Sequence, residues 1–295
     1  MREFKTYHPI VNFTYFLFVI GFSCLFLHPV CLCISFLSGF LYSVMLKSKK
    51  QVKKNLIYIL PMLLIMALIN PAFNHEGRTI LTYFPSGNPL TLESVFYGLC
   101  TALMIASVIL HFSCYNEVMT SDKFLYLFGK MIPGMSLIIS MTLRFVPKFL
   151  SQLKNVTNAQ KCLGRDVNRG SIIKRAKHGL SILSIMTTWA LENAIDTADS
   201  MKSRGYGLAK RTAYSIYHFD ARDKTALFVI FGLGIYTFIG NLLGKMSFRF
   251  FPEIAATDID AYSISVLVSY FLLCIWPVII ELWEVRKWNA LKSKM

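Results

Sequence analysis

Six stretches of this chain are apolar over lengths that suit a lipid bilayer: about 10–27, 29–46, 56–70, 91–112, 224–243 and 262–283. Crossing the hydrocarbon takes about 20 mostly apolar residues, so these runs constrain the fold more than any other feature. The third is short for a full crossing. Of the 295 residues, 55% are hydrophobic and 24 are Phe. That exceeds what a soluble domain carries and cannot be hidden inside a globule of this size. It also excludes a disordered chain. The fold class is therefore an all-α polytopic membrane protein. The N-terminus is basic and then apolar, as in a signal peptide, but a second apolar run follows at once, so the first segment is expected to be a retained membrane helix.

Charge orders the spans. Thirty-one Lys and Arg stand against 16 Asp and Glu, for a net charge of +15. In a soluble chain this would suggest nucleic acid; beside membrane spans it marks cytoplasmic loops, and nucleic acid is not an expected partner. Arg2 and Lys5 put the N-terminus inside. The run Lys47, Lys49, Lys50, Lys53 and Lys54 puts the second loop inside as well, leaving the loop 71–90 outside. Residues 132–150 are apolar enough to tempt a further span. A crossing there would bury Arg144 at a cost of at least about 2.5 kcal/mol. It would also carry Lys148, Lys154, Lys161, Arg165, Arg169 and Lys174 outside. Residues 180–195 are judged the same way. About six transmembrane helices are expected, in two parts (1–114 and 224–295) separated by a cytoplasmic insertion at 115–223. Arg286, Lys287, Lys292 and Lys294 then place the C-terminus inside.

Within the insertion the spacing predicts a short helix at 121–131 and two long ones at about 134–163 and 171–204. Leu137, Met141, Phe145 and Phe149 recur every four residues, and Pro147 is expected to bend the first long helix. The second carries Ala190, Ala194 and Ala198 on a stripe running from Ile172 to Met201. Small residues at that spacing admit a close neighbour, so the two helices are expected to cross there. Both end in a polar tip, Lys161-Cys162-Leu163-Gly164-Arg165 and Lys202-Ser203-Arg204-Gly205-Tyr206. The arginine fork of the second suits a carboxylate. Glu192, Asp196 and Asp199 share a face and read as solvated rather than as a metal site. The seven cysteines have neither disulfide-framework nor zinc spacing. Gly240 to Lys245 falls one residue short of a phosphate loop and lacks its Ser or Thr.

These residues resemble a known family, the transmembrane T component of energy-coupling factor (ECF) transporters, related to the CbiQ-type subunits of metal uptake systems. The resemblance rests on His8-Pro9, Asn70-Pro71, Pro89-Leu90-Thr91-Leu92-Glu93, Leu143-Arg144-Phe145-Val146-Pro147 and Met201-Lys202-Ser203-Arg204-Gly205-Tyr206, in that order. It implies two coupling helices, each ending in an Ala-Arg-Gly-like motif that docks on one of two cytoplasmic ABC-type ATPases. The ATPase-docking residues would be Ser203, Arg204 and Gly205 at one tip and Cys162, Leu163, Gly164 and Arg165 at the other. Leu163 stands where an arginine is expected, with Arg165 or Lys161 as its stand-in. The resemblance further implies a membrane S component that captures a vitamin or a cobalt or nickel ion. ATP and magnesium would sit in the partner ATPases, with no catalytic residue, cofactor or metal in this chain. The location would be a prokaryotic cytoplasmic membrane. Two other readings stay open: a self-contained secondary carrier or channel, and a membrane-embedded enzyme using His8, His75 or His111.

Overall fold

In a computed structural model, residues 4–83, 88–129, 133–168, 170–208, 217–256 and 260–292 are described. Arg2, Arg169 and Lys294, all part of the charge reading, lie outside them. Helix α1 spans Pro9–Leu25 and α2 Pro29–Leu46. Each opens on a proline, whose missing N–H is no loss in a first turn. Helix α3 spans Lys49–Phe73, a short hairpin pairs β1 (Ile80–Tyr83) with β2 (Pro89–Thr91), and α4 spans Leu92–Val118. Of these helices, α2, α3 and α4 are long and apolar enough to cross a membrane, and α1 is a shorter apolar helix. Only the third expectation needs correction at its start. The lysine run is not a loop: Lys49, Lys50, Lys53 and Lys54 lie in the first two turns of α3, behind a capping box of Ser48 and Gln51. The cap satisfies the free N–H groups and lets the helix begin seven residues before the apolar run.

After α4 come α5 (Ser121–Gly129), α6 (Pro133–Cys162) and α7 (Ile172–Ser203). Helix α8 (Ala221–Leu242), a second short hairpin of β3 (Phe248–Arg249) and β4 (Ala255–Ala256), and α9 (Ala261–Lys292) complete the order. Helices α8 and α9 are also long and apolar enough to cross. The chain divides into two compact units, Met1–Phe124 with Tyr217–Met295, and Leu125–Ile216.

The first unit is a bundle of α1–α4, α8 and α9. Its core holds Val11, Tyr15, Phe22, Ile230, Val266, Tyr270 and Leu273. Close approaches are made at glycines: a Cβ on Gly98 would sit 2.9 Å from the Ala67 carbonyl of α3, and one on Gly240 2.6 Å from Val266. A polar chain threads the core. Ser23 Oγ lies 2.6 Å from Ser35 Oγ, and His111 Nε2 lies 3.2 Å from the same Ser35 Oγ. Tyr15 donates to the Cys274 carbonyl at 3.0 Å.

One end of the bundle is pinned by polar contacts between the N-terminal segment and residues of α4, α5 and α8. His8 caps α1 through its ring, which meets Phe219 edge-on at 4.9 Å. The His8 amide donates to Asp223 Oδ1, which with Asp220 caps α8. Thus His8-Pro9 ties α1 to α8. Lys5 pairs with Glu117 at 3.6 Å, and Arg222 covers the Tyr7 ring. Buried Lys123 donates to the Lys5 carbonyl, and Asn12, with its amide oriented to satisfy both neighbours, accepts from Lys123 Nζ at 2.8 Å. The opposite end is aromatic. Phe96, Tyr97, Phe248, Phe250 and Phe251 cluster beside His28. There Glu93, buried at the start of α4, accepts from the Thr79 amide at 3.1 Å and from its hydroxyl at 2.7 Å. Thr91 donates to the Glu76 carbonyl. The motif at 89–93 is therefore a clasp that holds the loop after α3.

The second unit is a helical hairpin. Val156 of α6 packs with Ile182, Met186 and Trp189 of α7. Phe149 meets Trp189 edge-on at 5.1 Å, and Lys148 Nζ donates to Asn193 Oδ1 at 2.6 Å. Residues later in α6 thus meet residues earlier in α7, so the helices run antiparallel. Of the expected α6 stripe, Leu137, Met141 and Phe145 are half-buried, and Phe149, though exposed, still meets Trp189. The α7 stripe is not. Ile172, Leu180 and Leu183 are 82%, 65% and 61% exposed. Ala194 and Ala198 are exposed, and Ala190 is only half-buried. The helices meet instead on the face one residue around, because Ile182, Met186 and Trp189 remove far more apolar area from water than alanines can. Pro147 lies inside α6, which continues past it to Cys162.

Candidate docking tips of the paired helices

Both long helices end with the same backbone device. At the end of α6, the Gly164 amide donates to the Lys161 carbonyl at 3.0 Å and the Arg165 amide to the Gln160 carbonyl at 2.9 Å. At the end of α7, the Gly205 amide donates to the Lys202 carbonyl at 3.0 Å and the Tyr206 amide to the Met201 carbonyl at 3.0 Å. Gly164 has φ +76 and Gly205 φ +80. This paired 6→1 and 5→2 pattern is a Schellman stop, and its left-handed position calls for glycine. The expected glycines are therefore where the two helices reverse.

The matching caps put the two tips in register. Lys161 corresponds to Lys202, Cys162 to Ser203, Leu163 to Arg204, and Arg165 to Tyr206. Leu163 is 70% exposed and Arg204 is exposed. No side chain among the described residues engages the Arg204 guanidinium. Leu163 thus occupies the cap position that arginine holds on α7. Lys161 matches a lysine already present in the second tip, and Arg165 lies one residue past the glycine. The hairpin carries its two tips to opposite ends: the 162–165 tip lies beside the start of α7, and Arg204 lies beyond Asn193 at the far end.

Other sequence candidates are dispersed. Glu192, Asp196 and Asp199 are exposed, and among the described residues no group of three or more His, Cys, Asp or Glu is placed to hold a metal. His8 is a helix cap, His75 lies in the loop clasped by Glu93, and His111 is buried in α4 against Ser35 and Gly39. Cys31 is buried and Cys33 exposed, on opposite sides of α2, and all seven cysteines are free. Gly244, in the segment resembling a phosphate loop, caps α8 with φ +74.

Five apolar helices long enough to cross a membrane and a sixth, shorter one, interrupted in sequence by a hairpin with two matched, exposed helix ends, define a multi-pass membrane protein. The match to known proteins gives the family: residues 6–214 match the family described as cobalt transport protein, CbiQ, and the chain belongs to it. It is also similar to proteins named energy-coupling factor transporter transmembrane protein EcfT. The Lactobacillus helveticus protein is 40% identical over 106 residues, covering 36% of this chain and 38% of that protein. The Leuconostoc gelidum protein is 34% identical over 112 residues, 38% of this chain and 42% of that protein. The Staphylococcus aureus protein is 26% identical over 187 residues, 60% of this chain and 69% of that protein. The chain thus spans about two fifths of the length of the first two relatives.

Proposed function

We propose that the chain is the membrane scaffold of an ECF-type importer and transmits ATP-driven motion from two cytoplasmic ABC-type ATPases to a substrate-binding membrane subunit. The observation that carries this reading is the pair of identical helix stops, one at each end of a single hairpin. Two ends facing opposite ways suit two motor subunits, one each. Ser203, Arg204 and Gly205 would dock one ATPase, with the arginine fork entering an acidic groove. Cys162, Leu163, Gly164 and Arg165 would dock the other. Leucine at the cap makes that second contact largely apolar, with Arg165 as its flanking cation. ATP and magnesium would belong to the ATPases and the substrate to the membrane partner. A vitamin or a transition-metal ion is the cargo class, cobalt being the one the family's description names.

The orientation follows from charge. The end of the bundle holding Lys5, Lys47 and Lys123 would face the cytoplasm with both termini, and the aromatic end would face outward. The membrane would be the prokaryotic cytoplasmic one.

The test is co-purification. Arg204→Glu is expected to insert normally and to lose ATPase association, since a buried charge pair at such an interface contributes about 2–5 kcal/mol. Retention of both ATPases by that variant would refute the docking role. Transport by the purified chain alone, without ATPases, would favour a self-contained carrier.

A further inference from the structure

The first two turns of α3 carry Lys49, Lys50, Lys53 and Lys54, all exposed. The side of α3 that faces the bundle is fixed independently. Asn55 donates to Ser113 Oγ of α4 at 2.8 Å, Lys47 donates to the same oxygen, and Ile59 is buried one turn further on. At about 100° per residue, the four lysines fall within an arc of about 140° centred nearly opposite Asn55. Leu60, Leu64 and Leu68 continue the same arc along the helix and are 62%, 59% and 61% exposed. Among the described residues no carboxylate pairs with any of the four lysines.

We propose that this face of α3 is a binding site for anionic phospholipid, whose phosphate sits among the four ammonium groups and whose acyl chains lie along the leucines. The arc is continuous from cation to hydrocarbon, and that continuity selects the occupant. A soluble acidic partner could meet the lysines but would leave the leucines bare. A lipid with a negative headgroup covers both, at the depth where each belongs. Because α3 is the least buried of the five long spans, at 11% of its most apolar window, such lipid would supply much of its lateral contact. The site requires only that the chain spans a membrane and does not depend on the transporter reading.

The experiment uses the full chain in nanodiscs of phosphatidylcholine doped with phosphatidylglycerol, with native mass spectrometry counting the lipids retained. The wild type is expected to enrich phosphatidylglycerol, and raising the salt should erode that enrichment. The variant Lys49→Gln/Lys50→Gln/Lys53→Gln/Lys54→Gln should lose it, at roughly fivefold in lipid affinity for each lysine near an anionic surface. The corresponding fourfold Lys→Arg variant should keep it and controls for folding. Equal enrichment in the wild type and the glutamine variant would overturn the proposal. So would enrichment insensitive to salt, or loss of enrichment in the arginine variant. Loss of a co-purifying protein with lipid enrichment unchanged would assign the face to an acidic protein instead, and would equally overturn it.

Discussion

Replacing Trp189 by alanine should open the α6–α7 hairpin. Trp189 is half-buried. Half of the 150–250 Å² that a large aromatic can bury, at about 25 cal/mol per Å², gives about 2–3 kcal/mol. The edge-to-face pair with Phe149 adds about 1 kcal/mol, and Lys148, 5.5 Å from the ring centre, adds about 0.5 kcal/mol. Discounting for compactness of the unfolded chain leaves about 3 kcal/mol. Among the described residues the rest of the apolar contact is Val156, Ile182 and Met186, with Val167 beside them, and the Lys148–Asn193 hydrogen bond lies at its edge, so Trp189 is a large part of what holds the two helices together. Hydrogen exchange of the full chain in micelles reads this directly: amides around 149–156 and 182–190 should exchange about 100-fold faster, at about 1.4 kcal/mol per factor of ten. Ala194→Leu, on the open face, should change the same amides less than about twofold. Unchanged exchange in Trp189→Ala, with faster exchange in Ala194→Leu, would show that the helices meet on the alanine face after all.

Three further outcomes are expected. Glu93→Ala would strand the Thr79 amide and hydroxyl, at about 1–3 kcal/mol of local stability, and limited proteolysis should then cut between residues 74 and 79. Burial, aided by the Lys5 ammonium, pulls Lys123 down to about 8 from the ordinary 10.5. Folded Lys123 therefore holds its proton less tightly than an unfolded lysine, so stability should rise as pH climbs from about 8 toward 10.5. Thermal melts of the full chain should show that rise, and Lys123→Met should flatten it. Leu163→Arg restores at the α6 cap what α7 already has; if the tips dock ATPases, pull-down of the motor subunits should strengthen.

The span layout was legible because a bilayer demands long apolar runs and the chain supplies them, with charge deciding the doubtful stretch at 132–150. Even the two long helices that fall outside the candidate spans were readable, from Arg144 and from the cations a crossing would have carried outside. The tips were readable too, since a glycine after thirty helical residues has few other uses. Two things were hidden. The start of α3 was masked by its lysines, which look like a loop until Ser48 and Gln51 are recognised as a cap. The face of α7 was misjudged because small residues at four-residue spacing compete with a bulkier set, Ile182, Met186 and Trp189, offset by only one residue. Choosing between such faces depends on which partner side chains arrive, here Phe149 and Val156, and spacing within α7 carries no record of them.

The antiparallel contact has a mechanical consequence. From the Phe149–Trp189 pair it is 14 residues along α6 to Leu163 and 15 along α7 to Arg204, or about 21 Å and 22 Å of helix. The pair therefore lies near the middle of the hairpin, where a fulcrum would sit. Loads applied at the two ends in opposite senses add as torque, whereas equal loads in one sense cancel as rotation and only push. Were loads applied at the two ends, their difference would fall largely on the contacts around this pair, with Val156, Ile182 and Met186 beside it.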